Sequence, residues 1–145
     1  MQLDDLYRQV IVDHYNKPRN YGKPEKWDIE VEGKNPVCGD EITLYLTVAD
    51  DKIADCKFEG HGCSISMASA SVMTETLKGK NLEEASTILR DFNHLVRGEQ
   101  CSNCDDYGDI VAFEGVAKFP VRIKCALLAW KTIESAVSPT KSPAS

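Results

Sequence analysis

The chain has 145 residues, of which 42% are hydrophobic, and this is enough apolar material for one domain with a buried core. The formal net charge is −6, and no run of lysine and arginine is dense enough to follow a phosphate backbone, which excludes nucleic acid as a partner. The acidic N-terminus and the lack of a long apolar run argue against a secretion signal and a membrane span, so we expect a cytoplasmic protein.

The first half of the chain carries one helical pattern followed by strand patterns. Apolar residues recur at helical spacing from Leu3 to His14, and Pro18 ends that helix. Apolar and polar residues then alternate in three predicted strands, at 28–32, 42–48 and 54–59. The connection between the last two strands is short, so we expect an antiparallel meander with one face exposed to water.

The second half is mainly helical. Residues 63–78 form a predicted helix rich in small side chains, which allow close packing on the sheet. A further helix is predicted over about 82–96, with Asn81 as its N-cap, and another over 121–137. The polar stretch 99–113 predicts no regular element beyond a short helix near Asp109.

These patterns predict a single α+β domain over residues 1–137, with helices packed on a small three-stranded antiparallel sheet. Residues 138–145 are rich in serine and proline and are predicted to be a disordered tail, because they lack the apolar side chains that would order them.

Three cysteines and one aspartate lie at backbone junctions marked by glycine and proline. Cys38 and Asp40 fall in N-P-V-C-G-D, Cys63 follows G-H-G, and Cys125 follows a proline at the start of an apolar run. Three thiolates and a carboxylate suit a tetrahedral zinc site. We expect Cys63 and Cys125 each near a helix N-terminus, where the helix dipole favours thiolate. The spacing leaves open whether such a metal is structural or reactive.

The other cysteines and the histidines have simpler interpretations. In a reducing cytoplasm, all six cysteines are expected to be ligands, reactive thiols or core residues before disulfides. Cys56 shares a strand face with apolar residues and is predicted to be core. Cys101 and Cys104 have the spacing of half a zinc site, but no second pair matches them and their acidic flanks predict a solvated loop. A second metal site or a redox pair is the lesser alternative. His14 and His61 are expected to be hydrogen-bonding or surface residues, with a place beside the metal as the alternative.

Four motifs, in this order, resemble the U-type iron–sulfur assembly proteins. They are D-H-Y-N-K-P-R-N from Asp13, N-P-V-C-G-D from Asn35, E-G-H-G-C-S-I-S-M-A-S-A-S from Glu59 and F-P-V-R-I-K-C from Phe119. The match runs from about residue 6 to 137. The chain resembles the SufU branch more than the IscU scaffold branch, because the segment between Cys63 and Cys125 is long and because Lys124 stands where IscU-type scaffolds carry a histidine.

The resemblance implies a zinc ion on Cys38, Asp40, Cys63 and Cys125. It also implies sulfur transfer, which would make the chain a zinc-dependent sulfurtransferase. A PLP-dependent cysteine desulfurase of the SufS type would form a persulfide, Cys38 would accept its sulfur, and a downstream cluster scaffold or other acceptor would receive it. Asp40, a harder ligand than sulfur, would lend the site lability. Cys101 and Cys104 lie outside the family pattern.

Two other functions remain open at this point. A scaffold would assemble a [2Fe-2S] cluster from iron and sulfide on the same four residues, and Lys124 in place of histidine counts against it. A binding module would hold zinc in a closed structural site that performs no thiol chemistry.

Overall fold

The computed structural model describes residues 3–101 and 104–137. Its elements, in chain order, are α1 (Leu3–Asn16), β1 (Ile29–Asn35), β2 (Asp40–Ala49), β3 (Lys52–His61), α2 (Ser64–Leu77), α3 (Leu82–Val96), a 3-10 segment (Cys104–Lys118) and α4 (Pro120–Val137). The predicted α+β class, the three-stranded sheet and the single domain are confirmed. The predicted tail at 138–145 lies outside the described residues.

The three strands form an antiparallel sheet in the order β1-β2-β3, so β2 is central. Its inward residues are fully buried, and Leu44 lies opposite Phe58 of β3. Asp50 and Asp51 join β2 to β3 with φ angles of 54° and 60°. Two consecutive left-handed residues between antiparallel strands are typical of a tight hairpin, which confirms the short connection that the sequence predicted.

The helices bury their apolar sides against the sheet and one another. α2 is buried along most of its length, and its small residues, such as Ala68 and Ala70, allow this close approach. On α4, the indole of Trp130 stacks on Phe92 of α3 at a centroid distance of 3.9 Å. In the described part of the chain, no helix combines the length and the apolar character needed to cross a membrane.

The 3-10 segment is longer than the short helix predicted near Asp109. It is interrupted at Tyr107 and Gly108, where the backbone leaves helical geometry. Beyond this break, Ile110, Phe113 and Val116 are fully buried. Side chains three residues apart fall on one face of a 3-10 helix, which explains this spacing. The helical period of 3.6 and the strand period of 2 do not match this spacing, so these patterns did not predict the full length of the segment.

His14 connects three elements from a fully buried position. Its Nδ1 lies 2.8 Å from Ser71 Oγ on α2, and its Nε2 lies 2.9 Å from Asp109 Oδ2 in the 3-10 segment. The backbone N–H of Arg19 donates to the same serine oxygen at 2.8 Å. The His14 ring nitrogens and the Ser71 hydroxyl all find partners if Ser71 donates to Nδ1 and Nε2 donates to Asp109. This confirms the hydrogen-bonding role expected for His14.

Candidate metal centre

The four residues predicted as ligands come together at one end of the sheet. Cys38 lies in the β1–β2 loop, Asp40 begins β2, Cys63 is the N-cap of α2, and Cys125 lies in α4. The Sγ atoms of Cys125 and Cys38 are 3.0 Å apart, and Cys63 Sγ is 3.9 Å from Asp40 Oδ2. One donor atom each from Cys38, Asp40 and Cys125 lie within 4.8 Å of one another.

The burial and chemistry of this cluster suit a thiophilic cation. Asp40 and Cys125 are each only 1% exposed, whereas Cys38 and Cys63 are half-buried. Burial raises the pKa of the Cys125 thiol well above its usual range, and the neighbouring thiols of Cys38 and Cys63 raise it further. A bound cation would offset the charge of the buried carboxylate and favour ionised thiols. Zinc accepts this combination of sulfur and oxygen donors.

Asp40 is held by donors that the sequence analysis did not single out. Its Oδ1 accepts the backbone N–H of Cys63 at 2.8 Å. Its Oδ2 accepts the Ser66 hydroxyl at 2.6 Å and the Asn35 amide at 3.3 Å. The Asn35 amide also lies 3.7 Å from Cys125 Sγ. Asn35 and Asp40 are directly opposite each other in the β1–β2 pair, but no sequence pattern shows that their side chains meet.

Gly62, directly after the end of β3, allows the backbone there to approach Asp40 closely. Its φ is +155°, and a Cβ atom here would overlap Asp40 Oδ1. We expect Gly62→Ala to displace Asp40, to lower the zinc content and to destabilise the protein by about 2 kcal/mol or more, through backbone strain and overlap. Metal analysis and urea unfolding measure both effects.

Gly79→Ala is the matched control for that substitution. Gly79 also has a positive φ, +87°, but a Cβ atom there would meet nothing within 4 Å. We expect this variant to lose some stability and to keep its zinc. Equal zinc content in the two variants would contradict the role assigned to Gly62.

Two expectations about the cysteines need correction. Cys125 is not at a helix N-terminus, because α4 begins at Pro120 and places it in the second turn. The helix dipole acts mainly on the first turn, and burial dominates here. The expectation of reduced cysteines holds for four of them, but Cys101 and Cys104 form a disulfide. Their Cα atoms are 5.6 Å apart, within the range that a disulfide spans.

The remaining candidates lie away from the cluster or in the core. A disulfide offers no thiolate, so Cys101 and Cys104 in this bonded state cannot hold a second metal ion, and the redox-pair alternative stays a prediction. Cys56 is fully buried in β3, which confirms it as core, and burial raises its pKa to about 12. His61 is exposed and lies 2.9 Å from Glu41, which confirms it as a surface residue.

An open cleft of about 500 Å³ leads to the cluster. Its lining residues are Cys38, Cys63, Lys118, Phe119, Pro120, Val121, Arg122 and Cys125. Two of the lining residues are large exposed apolar side chains, Val121 at 64% and Phe119 at 48%, and Val37, which precedes Cys38 in the chain, is 69% exposed. Cys38 and Cys63, which are half-buried, are therefore reachable from solvent through this cleft, whereas Cys125 is buried behind them.

Known proteins share both the sequence and the fold. The chain is 51% identical to the zinc-dependent sulfurtransferase SufU of Bacillus subtilis over 94% of this chain and 92% of that protein. It is 40% identical to the iron–sulfur cluster assembly scaffold protein IscU of Streptococcus pyogenes, covering 94% and 85%.

A solved structure agrees with these relatives. The crystal structure of a candidate iron–sulfur cluster assembly scaffold protein for the SUF system from Fervidobacterium islandicum superposes with a TM-score of 0.85 at 41% identity, covering 92% of this chain and 98% of that one. The family model described as NifU-like N terminal domain matches residues 6–126. The chain therefore belongs to the NifU-like N-terminal domain family, as its four motifs predicted.

Proposed function

We propose that this protein is a zinc-dependent sulfur acceptor in iron–sulfur cluster biogenesis, and that it takes sulfur from a PLP-dependent cysteine desulfurase of the SufS type. The observation that carries the proposal is the position of Cys38. This thiol is half-buried in a loop, lies 3.0 Å from a second cysteine sulfur, and lines a cleft open to solvent. The 51% identity to a protein named as a zinc-dependent sulfurtransferase supports it.

Cys38, Asp40, Cys63 and Cys125 are the residues that would hold the zinc ion. When bound, zinc favours the ionised form of these thiols and brings no redox chemistry of its own. Asp40 and Cys125 are buried and fixed by packing, whereas Cys38 belongs to the short β1–β2 loop. Of the cysteines in the set, Cys38 is thus the one whose release from the metal would change the packing of the core least.

The transfer itself is a thiolate–persulfide exchange. The Cys38 thiolate attacks the terminal sulfur of the desulfurase persulfide, forming a new S–S bond. The S–S bond in the desulfurase breaks, and its cysteine leaves as a thiolate. Cys38 ends as a persulfide with one added sulfur atom, and no external oxidant or reductant is consumed. A thiolate of a downstream scaffold or other acceptor would remove that sulfur by the same exchange.

The mouth of the cleft suits docking of the desulfurase. Val37, Phe119 and Val121 present apolar surface beside the thiol, and Arg122 lines the same cleft. Large exposed apolar side chains that cluster around a reactive group are typical of a protein interaction site. The same openness argues against a closed, purely structural zinc site.

A cluster scaffold is the second candidate function. It is favoured by the 40% identity to a protein named as an iron–sulfur cluster assembly scaffold. The same three thiols and one carboxylate could bind iron in place of zinc, since thiolates ligate both metals.

Metal analysis and the absorption spectrum of the protein as purified separate these functions. The proposed acceptor should contain about one zinc per chain and be colourless, because zinc has no visible chromophore. A scaffold purified with its cluster should contain iron and inorganic sulfide and absorb visible light. Iron and sulfide in stoichiometric amounts, with no zinc, would overturn the acceptor proposal.

A further inference from the structure

We propose that Ser66 is a positioning residue for Asp40, and that its hydroxyl group controls how firmly the site retains zinc. The inference rests on the proposed function, since it concerns the same metal site. It goes further by assigning a role to a residue that the family motifs alone leave without one. Ser66 lies in the first turn of α2 and is 1% exposed.

The Ser66 hydroxyl lies at the centre of the cluster. Its Oγ is 2.6 Å from Asp40 Oδ2, 3.2 Å from the Cys125 carbonyl oxygen and 3.5 Å from Cys63 Sγ. The hydroxyl has one hydrogen to donate. The contact with Asp40 is the shortest of the three and falls in the range typical of a hydroxyl bonded to a carboxylate. The hydrogen therefore points to Asp40.

This bond nearly completes the hydrogen bonding of the Asp40 carboxylate. A carboxylate accepts about four hydrogen bonds. Here the Cys63 N–H occupies Oδ1, and the Ser66 hydroxyl and the Asn35 amide share Oδ2. The carboxylate is thus fixed in rotation about its Cβ–Cγ bond. Cys63 Sγ lies 3.9 Å from Oδ2 as a further, longer contact.

Ser66 is the stronger of the two restraints on Oδ2. The Asn35 amide is 3.3 Å from that oxygen and also faces the sulfur of Cys125 at 3.7 Å. Without the serine hydroxyl, Oδ2 would keep only the longer contacts with the Asn35 amide and Cys63 Sγ, and the carboxylate could turn. Groups that orient a metal-binding side chain typically contribute about 10-fold to 100-fold to metal affinity.

Ser66→Ala tests the assignment, and Ser69→Ala is its matched control. Both serines are buried on α2. The Ser69 hydroxyl donates to the Ala126 carbonyl at 2.6 Å and accepts from the Trp130 indole at 2.9 Å, and neither partner is one of the four candidate ligands. We expect Ser66→Ala to weaken zinc binding about 10-fold or more in competition with a chromophoric chelator. We expect Ser69→Ala to bind zinc as the wild type does and to unfold at a lower temperature, because it loses two buried hydrogen bonds.

Two further measurements distinguish positioning from a general loss of stability. Cobalt(II) substituted for zinc should show altered d–d absorption bands in Ser66→Ala but not in Ser69→Ala, because these bands report ligand geometry. In an Asp40→Ala background, adding Ser66→Ala should change zinc affinity less than twofold, because residues that act through one another are not additive.

The outcomes separate the inference from the proposal on which it rests. A wild-type protein that binds no zinc contradicts the proposed function, and the role of Ser66 fails with it. Tight zinc binding by the wild type, together with equal affinity and an equal cobalt spectrum in Ser66→Ala, contradicts the role of Ser66 alone. A 10-fold loss of zinc affinity on adding Ser66→Ala to the Asp40→Ala variant would also contradict the role of Ser66.

Discussion

Cys38→Ala is expected to abolish sulfur acceptance while the fold survives. Cys38 is the proposed acceptor, and alanine has no sulfur atom to form a persulfide. The residue lies half-buried in a loop, so truncating it leaves the core intact. With desulfurase and free cysteine present, alanine production should fall to the rate of the desulfurase alone. Mass spectrometry should find one added sulfur on the wild type, at Cys38, and none on the variant.

Asp40→Ala serves as the comparison for this experiment. It leaves all three thiols of the cluster in place, so any loss of transfer must come through the metal site and not through a missing nucleophile. We expect a reduced but measurable rate. A Cys38→Ala protein that stimulated the desulfurase as strongly as the wild type would refute the acceptor role. It would favour a scaffold or an allosteric partner.

Cys125→Ala is expected to remove most of the zinc and to lower stability together with it. The residue is buried between the other donors, and its loss leaves a cavity as well as an incomplete ligand set. A ligand present at 1,000 times its dissociation constant stabilises a protein by about 4 kcal/mol. For a chain of this size, each kcal/mol corresponds to roughly 2–4 °C in Tm. Metal analysis and thermal unfolding with and without zinc measure the loss.

Cys63→Ala should behave in the same way, and the double substitution of Cys101 and Cys104 by serine is the control. That pair forms a disulfide outside the cluster, so the double variant should keep about one zinc per chain. Loss of zinc from the double variant, or wild-type zinc content in both single variants, would show that the metal lies elsewhere.

The sequence predicted the elements wherever a single local signal decides the structure. Alternation identified β2, and Asn81 was recognised as the N-cap of α3. In the structure, Asn81 accepts from the backbone N–H of Glu84, whose side chain bonds back to the Asn81 backbone, forming a complete capping box. The strand ends were predicted less well. β2 begins at Asp40, two residues before the predicted start, because pairing with Asn35 extends it.

The sequence singled out the candidate ligands, which the structure places near one another, but it did not single out the residues that surround them. Cysteine and aspartate can be recognised in a sequence as candidate metal ligands by their residue type and by the glycines and prolines beside them. Ser66 and Asn35 are common polar residues, and their importance comes from contacts across 26 and 5 positions of the chain that only the fold creates. The raised pKa of Cys125 likewise depends on burial by several elements at once, which no local pattern encodes.

The distance along the chain between the donors has a consequence for folding. Cys38 and Cys125 are 87 positions apart, so a metal shared between them would close a long loop and act as a removable cross-link. Such a cross-link would couple metal binding to the docking of β2, α2 and α4. If Cys38 carried sulfur under the proposed function, Asp40, Cys63 and Cys125 would remain as candidate ligands on those three elements. The reactive thiol can then move while the framework of the site stays closed.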